Sequence, residues 1–396
     1  MSWTAIQLGS REHYAVPLAL HRVNHLEALI TDAWVTSNQS ALSRHLFPSL
    51  ALRRNSDLPD ALVKRRTLAR LATDARIKLK KLDPWRAILY RNHWFQRWAE
   101  QEVAASASQT IFSYSYTARL PFAAAKKRGA LCILGQIDPG PIEHDIVEQR
   151  SAAYRHLAPS ANHSPADYWT QWREEIALAD RIVVNSPWSA QLLLAAGVPV
   201  NKLVEIPLVY SPSSQRSRSS LPCPQITSPV SLQALFLGSV SLRKGVGQLF
   251  EAMKILKNAP VEFTIAGPMM VTIQDDISSL TNARFLGPVD QKTAEGLYQA
   301  SDIFLFPTLS DGFGLTQLEA LGHGLPIISS KNCALVTEER GTGLVLNEVS
   351  PESIAEAIME LVRDPDLLAR LKANACVPDR FHPRHLAPAL LALETG

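Results

Sequence analysis

Residues 303–320 read IFLFPTLSDGFGLTQLEA. The four apolar residues Ile303–Phe306 predict a strand buried on both faces, because nothing in them alternates toward solvent. Pro307 cannot extend a central strand. Gly312 and Gly314 then form a turn, and Leu315–Leu321 has the spacing of a helix. Glycines at such a turn let backbone N–H groups approach an anion closely, and the start of a helix favours phosphate. Asp311 and Glu319 are eight residues apart, one on the loop and one in the helix, so both can face one ligand and accept hydrogen bonds from sugar hydroxyls. Glu319 lies between Leu318 and Ala320, where an acid is costly without a partner.

Working outward, the same alternation recurs. Leu232–Leu237, Glu262–Ala266, Ala283–Leu286 and Pro326–Ser329 read as strands. Segments from about Gly245 to Leu256, Lys292–Ala300 and Pro351–Val362 read as helices, the last opened by Ser350. This spacing predicts βαβ units and a parallel sheet covered on both faces. The first half repeats it less clearly. Ala5–Leu8, Thr110–Tyr114, Leu131–Leu134, Arg181–Asn185 and Leu203–Ile206 are its strands, and residues 35–105 are rich in Arg, Leu and Trp and helical in character. Between the halves, residues 210–230 read YSPSSQRSRSSLPCPQITSPV, a Ser- and Pro-rich exposed linker. The expected organisation is an α/β chain of two Rossmann-like domains with an interdomain cleft. A first domain covers 1–208, a linker 209–230, a second domain 231–376, and 377–396 forms a segment packing back on the first domain. Ligands of such sheets bind beyond the carboxyl ends of the strands.

After strand 232–237 comes Gly238-Ser239-Val240-Ser241-Leu242-Arg243-Lys244-Gly245. A glycine turn with two cations at a helix start supplies what a pyrophosphate needs. Neither a G-x-x-x-x-G-K-[ST] loop nor a G-x-G-x-x-G string is present.

These two segments resemble the C-terminal domain of GT-B glycosyltransferases, specifically glycosyltransferase family 4. Ile265-Ala266-Gly267, Gly322-His323-Gly324-Leu325-Pro326-Ile327-Ile328 and Gly341-Thr342-Gly343-Leu344-Val345 are similar to further motifs of that family. So is Leu178-Ala179-Asp180-Arg181-Ile182-Val183-Val184-Asn185-Ser186 in the first half. The resemblance covers about residues 176–210 and 232–370. It implies that Lys244 neutralises a donor diphosphate with backbone groups of Gly314 and Leu315, that Glu319 binds ribose hydroxyls, and that Asp311 holds hydroxyls of the transferred sugar. Gly238, Ser239, Arg243, Gly267, Gly312 and Phe313 complete the implied donor site, with Val289 lining the base pocket. Ser239 stands where the family has Arg, which hands a second cation's role to Arg243, and Asp311 stands where it has Glu. The family also implies retention at the anomeric carbon without a metal or other cofactor, the nucleotide sugar being a co-substrate. Asp364-Pro365-Asp366 reads as a turn and helix cap rather than a metal site.

On the acceptor side, Asp138 and Gln136 follow strand 131–134, with His144 close behind, and Gly9 and Tyr14 follow the first strand. Asp311, Lys244 and Asp138 are the expected catalytic groups. The reaction implied is transfer of a sugar from a UDP- or GDP-sugar to an acceptor hydroxyl of a glycan, glycolipid or small molecule. The alternative is a non-catalytic sugar-nucleotide-binding subunit of a glycan assembly complex.

Composition sets the remaining bounds. The 396 residues are 46% hydrophobic and 19% charged, with a mean hydropathy of −0.02, so neither disorder nor a membrane-embedded body is expected. The first twelve residues lack the pattern of a secretory signal. Four scattered cysteines without a C-x-x-C pair fit buried thiols in a reducing cytoplasm. The net charge of +3 is unevenly spread: residues 1–150 hold 21 Lys and Arg against 13 Asp and Glu, the remainder 19 against 24. Eight basic residues between Lys64 and Lys81 face a single acid, Asp74. That run has two readings: a solvated helix face, or a surface for an anionic membrane or phosphorylated acceptor. Zinc-finger spacing and RNP-like aromatic motifs are missing, which argues against nucleic acid.

Overall fold

A computed structural model describes residues 1–36, 50, 53–158, 164–210, 231–338 and 341–395. Most of the expected linker, residues 211–230, lies outside the described residues.

The first sheet is seven-stranded and parallel, in the order β3-β2-β1-β4-β5-β6-β7. Its strands are β1 (Trp3–Gln7), β2 (Leu26–Thr31), β3 (Val63–Arg65), β4 (Thr110–Tyr114), β5 (Leu131–Gly135), β6 (Arg181–Val184) and β7 (Leu203–Glu205). The second is six-stranded and parallel, in the order β10-β9-β8-β11-β12-β13. Its strands are β8 (Leu232–Leu237), β9 (Val261–Ala266), β10 (Ala283–Gly287), β11 (Ile303–Phe306), β12 (Ile327–Ser330) and β13 (Gly343–Leu346). In each sheet the order reverses beside the first strand, which places a binding crevice at the carboxyl ends of β1 and β4 and of β8 and β11.

The helices of the first domain are α1 (Ala15–Arg22), α2 (Thr67–Leu79), α3 (Pro84–Ala104), α4 (Arg119–Lys127), α5 (Pro141–Arg150), α6 (Ala166–Leu178) and α7 (Pro187–Ala195). Those that follow are α8 (Val246–Ile255), α9 (Asp275–Ser278), α10 (Gln291–Gln299), α11 (Leu315–Gly322), α12 (Pro351–Arg363), α13 (Pro365–Asn374) and α14 (Leu386–Leu391). Caps set several starts: Ser186, Ser350 and Asp364 accept from the backbone N–H groups of Ser189, Ser353 and Leu367. Asp364 is thus a helix cap.

The sequence pattern does not predict β2. It reads LEALIT, whose opening residues favour helix, yet it pairs with β1 and β3 and five of its six residues are buried. Packing on both sides overrides its local preference.

The C-terminal segment returns to the first domain. Leu386, Ala387, Leu390 and Leu393 share a core with Trp3, Val16 and Leu20. Glu394 accepts from Trp3 Nε1 at 2.6 Å and Thr110 Oγ1 at 3.2 Å. The domains also meet directly. Gln248 Nε2 donates to Arg150 O at 3.1 Å, and Leu157 is buried within the second domain's core.

Candidate functional site

The loops that carry Lys244 and Asp311 converge because two glycines allow it. Gly245 has φ +73, and a Cβ there would fall 1.9 Å from Pro307 O. Gly314 has φ +87, and its Cβ would fall 2.3 Å from the Phe306 ring. Only a residue without a side chain lets the 242–245 turn lie against the end of β11 and the 311–314 turn fold over Phe306. The result brings Lys244 Nζ onto Asp311 Oδ2 and 4.6 Å from the Phe306 ring centroid. Arg243 Nη1 is 3.5 Å from Asp311 Oδ2 and donates to Ser310 O at 3.1 Å. Burial pushes the Asp311 carboxyl up, but the charges of Lys244 and Arg243 more than reverse this and hold it below its ordinary value.

The other residues expected at the donor site lie on the loops after β8, β9, β10 and β11 and on α11. Gly238 and Gly267 end β8 and β9 back to back, the Gly238 N–H donating to Ala266 O at 2.9 Å. Ser239 follows in the same turn, and Val289 is half-buried just beyond β10. Gly314 caps α11 and Leu315 begins it. Glu319 has the partner its apolar setting requires: Tyr298 Oη donates to it at 2.8 Å. Phe313 requires a correction. Its side chain is 2% exposed and packs edge-on against Phe381 at 5.7 Å. Its apolar ring belongs to the core, and its link to the site is the N–H directed at Asp311 Oδ1, 3.4 Å away.

Across the cleft, Gly312 lies on the first domain. Its carbonyl accepts from Ser186 Oγ at 2.5 Å and Ser189 Oγ at 3.3 Å, while Trp188 Nε1 donates to Ser310 Oγ at 2.9 Å. The start of α7 is therefore fitted to the loop carrying Asp311. On α5, Glu143 Oε1 lies 3.8 Å from Arg243 Nη1. Burial pushes its carboxyl up to about 8; Arg243 opposes the rise, and the charges of Asp138 and Asp311 add to it. His144, next to it, is half-buried on the same helix.

Asp138 accepts from Tyr116 Oη at 2.7 Å, Gly140 N at 2.9 Å and Gln136 Nε2 at 3.2 Å, while Gln136 Oε1 accepts from Trp172 Nε1 at 3.1 Å. Burial raises the Asp138 carboxyl despite these donors. Glu175 sets the turn beneath: it accepts from the N–H groups of Tyr116, Ala118 and Arg119 at 2.6, 2.8 and 3.2 Å. That fixes the backbone from which the Tyr116 hydroxyl reaches Asp138.

Gly9 lies at the carboxyl end of β1, its N–H donating to Asp32 Oδ1 at 2.9 Å. Tyr14 does not border the cleft, a second correction. It is 1% exposed and packs edge-on against Trp34 at 5.1 Å. Glu12, His13 and Tyr14 all take left-handed φ values of 49°, 51° and 67°, a costly conformation for side-chain-bearing residues. That turn sends Tyr14 into the core and leaves Glu12 lining a cavity of about 30 Å³. Phe112, Val183, Leu386, Gln136 and Asn185 also border it. Tyr114 Oη donates to Glu12 at 2.9 Å, and burial raises the Glu12 carboxyl. Sequence reading missed Glu12, Glu143 and Asn185, since each follows a different strand and only the topology unites them. Among the described residues, no group of three or more His, Cys, Asp or Glu side chains is placed to hold a metal ion.

Fold and site define a GT-B architecture: two Rossmann-like domains with a cation-bearing, anion-receptive loop pair in the second. Residues 231–364 match the family described as glycosyl transferases group 1. O-antigen chain mannosyltransferase B of Escherichia coli is 26% identical over 208 residues, covering 48% of this chain and 54% of that protein. D-rhamnosyltransferase WbpZ of Pseudomonas aeruginosa is 30% identical over 148 residues, covering 36% and 39%. The chain thus spans about half, or less, of the length of these curated relatives. Among solved structures, Anabaena HepE in complex with UDP has a TM-score of 0.65 at 14% identity, covering 100% of both chains. Sucrose-phosphate synthase from Thermosynechococcus elongatus has 0.66 at 17%, covering 100% of this chain and 98% of that one.

Proposed function

We propose that the protein is a retaining, metal-independent glycosyltransferase, moving a sugar from a UDP- or GDP-sugar to an acceptor hydroxyl in glycan, glycolipid or glycoside synthesis at the cytoplasmic side of the cell. The observation carrying this reading is the pairing of Arg243 and Lys244 with Asp311 on a glycine turn that opens α11. With Glu143 protonated below its raised pKa, two cations face one ionised acid, leaving a net positive charge for a diphosphate. The diphosphate displaces Asp311 from Lys244, and the freed carboxylate accepts hydrogen bonds from the transferred sugar. The backbone N–H groups of Gly314 and Leu315 hold phosphate oxygens, and Glu319 accepts from ribose hydroxyls. As the glycosidic bond to the diphosphate breaks, charge grows on the departing oxygen, and fixed cations there lower the barrier without reorganisation. Asp138 and Gln136 orient the acceptor from the opposite wall. The bound UDP named for the HepE structure supports a uridine nucleotide first.

The test is a donor screen over UDP-, GDP- and ADP-sugars, reading both binding and nucleoside diphosphate release. Turnover with at least one donor, lost in Lys244→Ala, is expected. Binding with no turnover across acceptors would favour the non-catalytic subunit, a reading that the Ser239 and Asp311 departures motivate.

A further inference from the structure

α5 joins the two sides of the cleft. Its start belongs to the first domain: Gly140 precedes it, and the Gly140 N–H donates to Asp138 Oδ1 at 2.9 Å. Its end belongs to the second. Arg150 O accepts from Gln248 Nε2 on α8, and the chain beyond runs into the other domain. A Cβ on Gly247 would fall 2.4 Å from the Tyr154 ring, so that ring lies directly on α8. Leu157 is buried in the core there, and its carbonyl accepts from the Thr272 N–H at 2.8 Å. Glu143, in the first turn of α5, is thus held against the second domain by a helix anchored in both.

The charged groups facing Glu143 come from both sides: Arg243 and Asp311 from the second domain, and Asp138 from the loop after β5. Arg243 Nη1 is 3.8 Å from Glu143 Oε1 and 3.5 Å from Asp311 Oδ2. Ser310, whose hydroxyl oxygen accepts from Trp188 Nε1, hydrogen-bonds to the Glu143 carboxyl. Oε1 itself is buried and, among the described residues, has no hydrogen-bond partner. A carboxyl oxygen left in that state is costly, and a ligand in the cleft satisfies it. Burial pushes the carboxyl up to about 8, so at neutral pH it carries a proton.

We infer, resting on the retaining-transferase reading, that Glu143 carries a proton from the acceptor hydroxyl to the departing diphosphate. Retention brings the acceptor to the face of the sugar that the diphosphate leaves, so one carboxyl between the two sides can touch both oxygens. As the bond from the anomeric carbon to the diphosphate oxygen breaks, its electron pair stays on that oxygen, which takes the hydrogen of Glu143 Oε1. A lone pair of the acceptor oxygen forms the new bond to the anomeric carbon, and the acceptor's hydroxyl proton passes to Oε1. The carboxyl ends as it began, and no further reactant is consumed. Arg243 stands beside Oε1 to stabilise the carboxylate between the two transfers. Exclusion of bulk water keeps the proton within the reacting pair.

The experiment follows nucleoside diphosphate release by the full chain from UDP-glucose, GDP-mannose and ADP-glucose, with water as the acceptor hydroxyl. Rates are measured across pH for the wild type, Glu143→Gln and Glu143→Asp. The wild-type rate should fall as pH rises through about 8, where the carboxyl gives up its proton. Glu143→Gln keeps the size and neutrality of the protonated acid but moves no proton. It should lose about 100-fold in rate at neutral pH, the lower end of what general acid–base catalysis contributes, and its profile should lack the alkaline limb. Its affinities for UDP and GDP by calorimetry should match the wild type, which separates lost proton transfer from misfolding. Glu143→Asp should recover part of the rate together with the limb. An unchanged rate or an unchanged limb in Glu143→Gln would overturn the inference and leave the transferase reading standing. A loss of rate matched by a loss of UDP or GDP affinity would also overturn it, making Glu143 part of nucleotide binding. No release from the wild type with any of the three donors would count against the transferase reading and the proton transfer together.

Discussion

The two walls of the cleft treat the same functional group in opposite ways. On the wall we propose for the donor, Asp311 lies beside Lys244 and Arg243, and its carboxyl is held below the ordinary range. On the wall proposed for the acceptor, Glu12, Asp138 and Glu143 are pushed upward by burial. Arg11 of the same domain opposes the rise at Glu12 and Asp138, whereas the cation beside Glu143, Arg243, is supplied by the other domain. The difference teaches how the labour divides. On the proposed reading, the first of these walls keeps fixed charges for a ligand that arrives highly charged, whereas the second keeps acids raised by burial, together with hydroxyls, for an acceptor's neutral hydroxyl groups.

The largest test of that contrast is Lys244→Ala. Removing a preorganised cation from a developing charge should lower turnover about 100-fold or more, measured as nucleoside diphosphate release, with Arg243 left to hold Asp311. A smaller loss would mean that the donor wall does not rest on fixed charge.

Next is Glu143→Gln, read as stability against pH. Because the folded carboxyl titrates near 8 and the unfolded one near 4.5, the native state binds the extra proton between these values. Its contribution is therefore complete below about pH 4.5 and is lost as pH rises toward and through 8. The variant should remove a pH-dependent difference on the order of a few kcal/mol between pH 5 and pH 9 in urea unfolding. An unchanged slope would place Glu143 among ordinary ionised acids and erase the contrast with Asp311.

Tyr116→Phe removes a donor to Asp138 and should cost about 1–2 kcal/mol, without altering nucleotide affinity. Weaker nucleotide binding would show that the walls are not separable. Smallest is Ser186→Ala, at about 1 kcal/mol from loss of the α7 cap, read by thermal unfolding. Because the same hydroxyl donates to Gly312 O, this variant should also perturb donor binding slightly, and far less than Lys244→Ala.

The contrast also explains what the sequence could reveal. The donor wall is built from two short continuous segments, 238–245 and 307–319, so glycine, cation and acid spacings survive in one dimension. The acceptor wall draws on the ends of several strands of the first sheet. Glu12, Glu143 and Asn185 share no local pattern, and Tyr14 looked equally suited to the cleft until the left-handed turn at Glu12–Tyr14 directed it into the core. β2 escaped notice because LEALIT carries helix-forming residues and becomes a strand only through its neighbours. Phe313 shows the converse: a residue inside a binding motif whose side chain serves the core.

Calorimetric titration of UDP and GDP, each against its nucleoside, into the wild-type protein and Lys244→Ala tests the central claim most directly. The diphosphate should bind the wild type more tightly than the nucleoside, and the variant should weaken the diphosphate at least about tenfold while leaving the nucleoside unchanged, a difference of about 1.4 kcal/mol in binding free energy. Equal affinities of diphosphate and nucleoside, or a variant that binds the diphosphate as the wild type does, would contradict the assignment of Lys244 and its loop to the donor diphosphate.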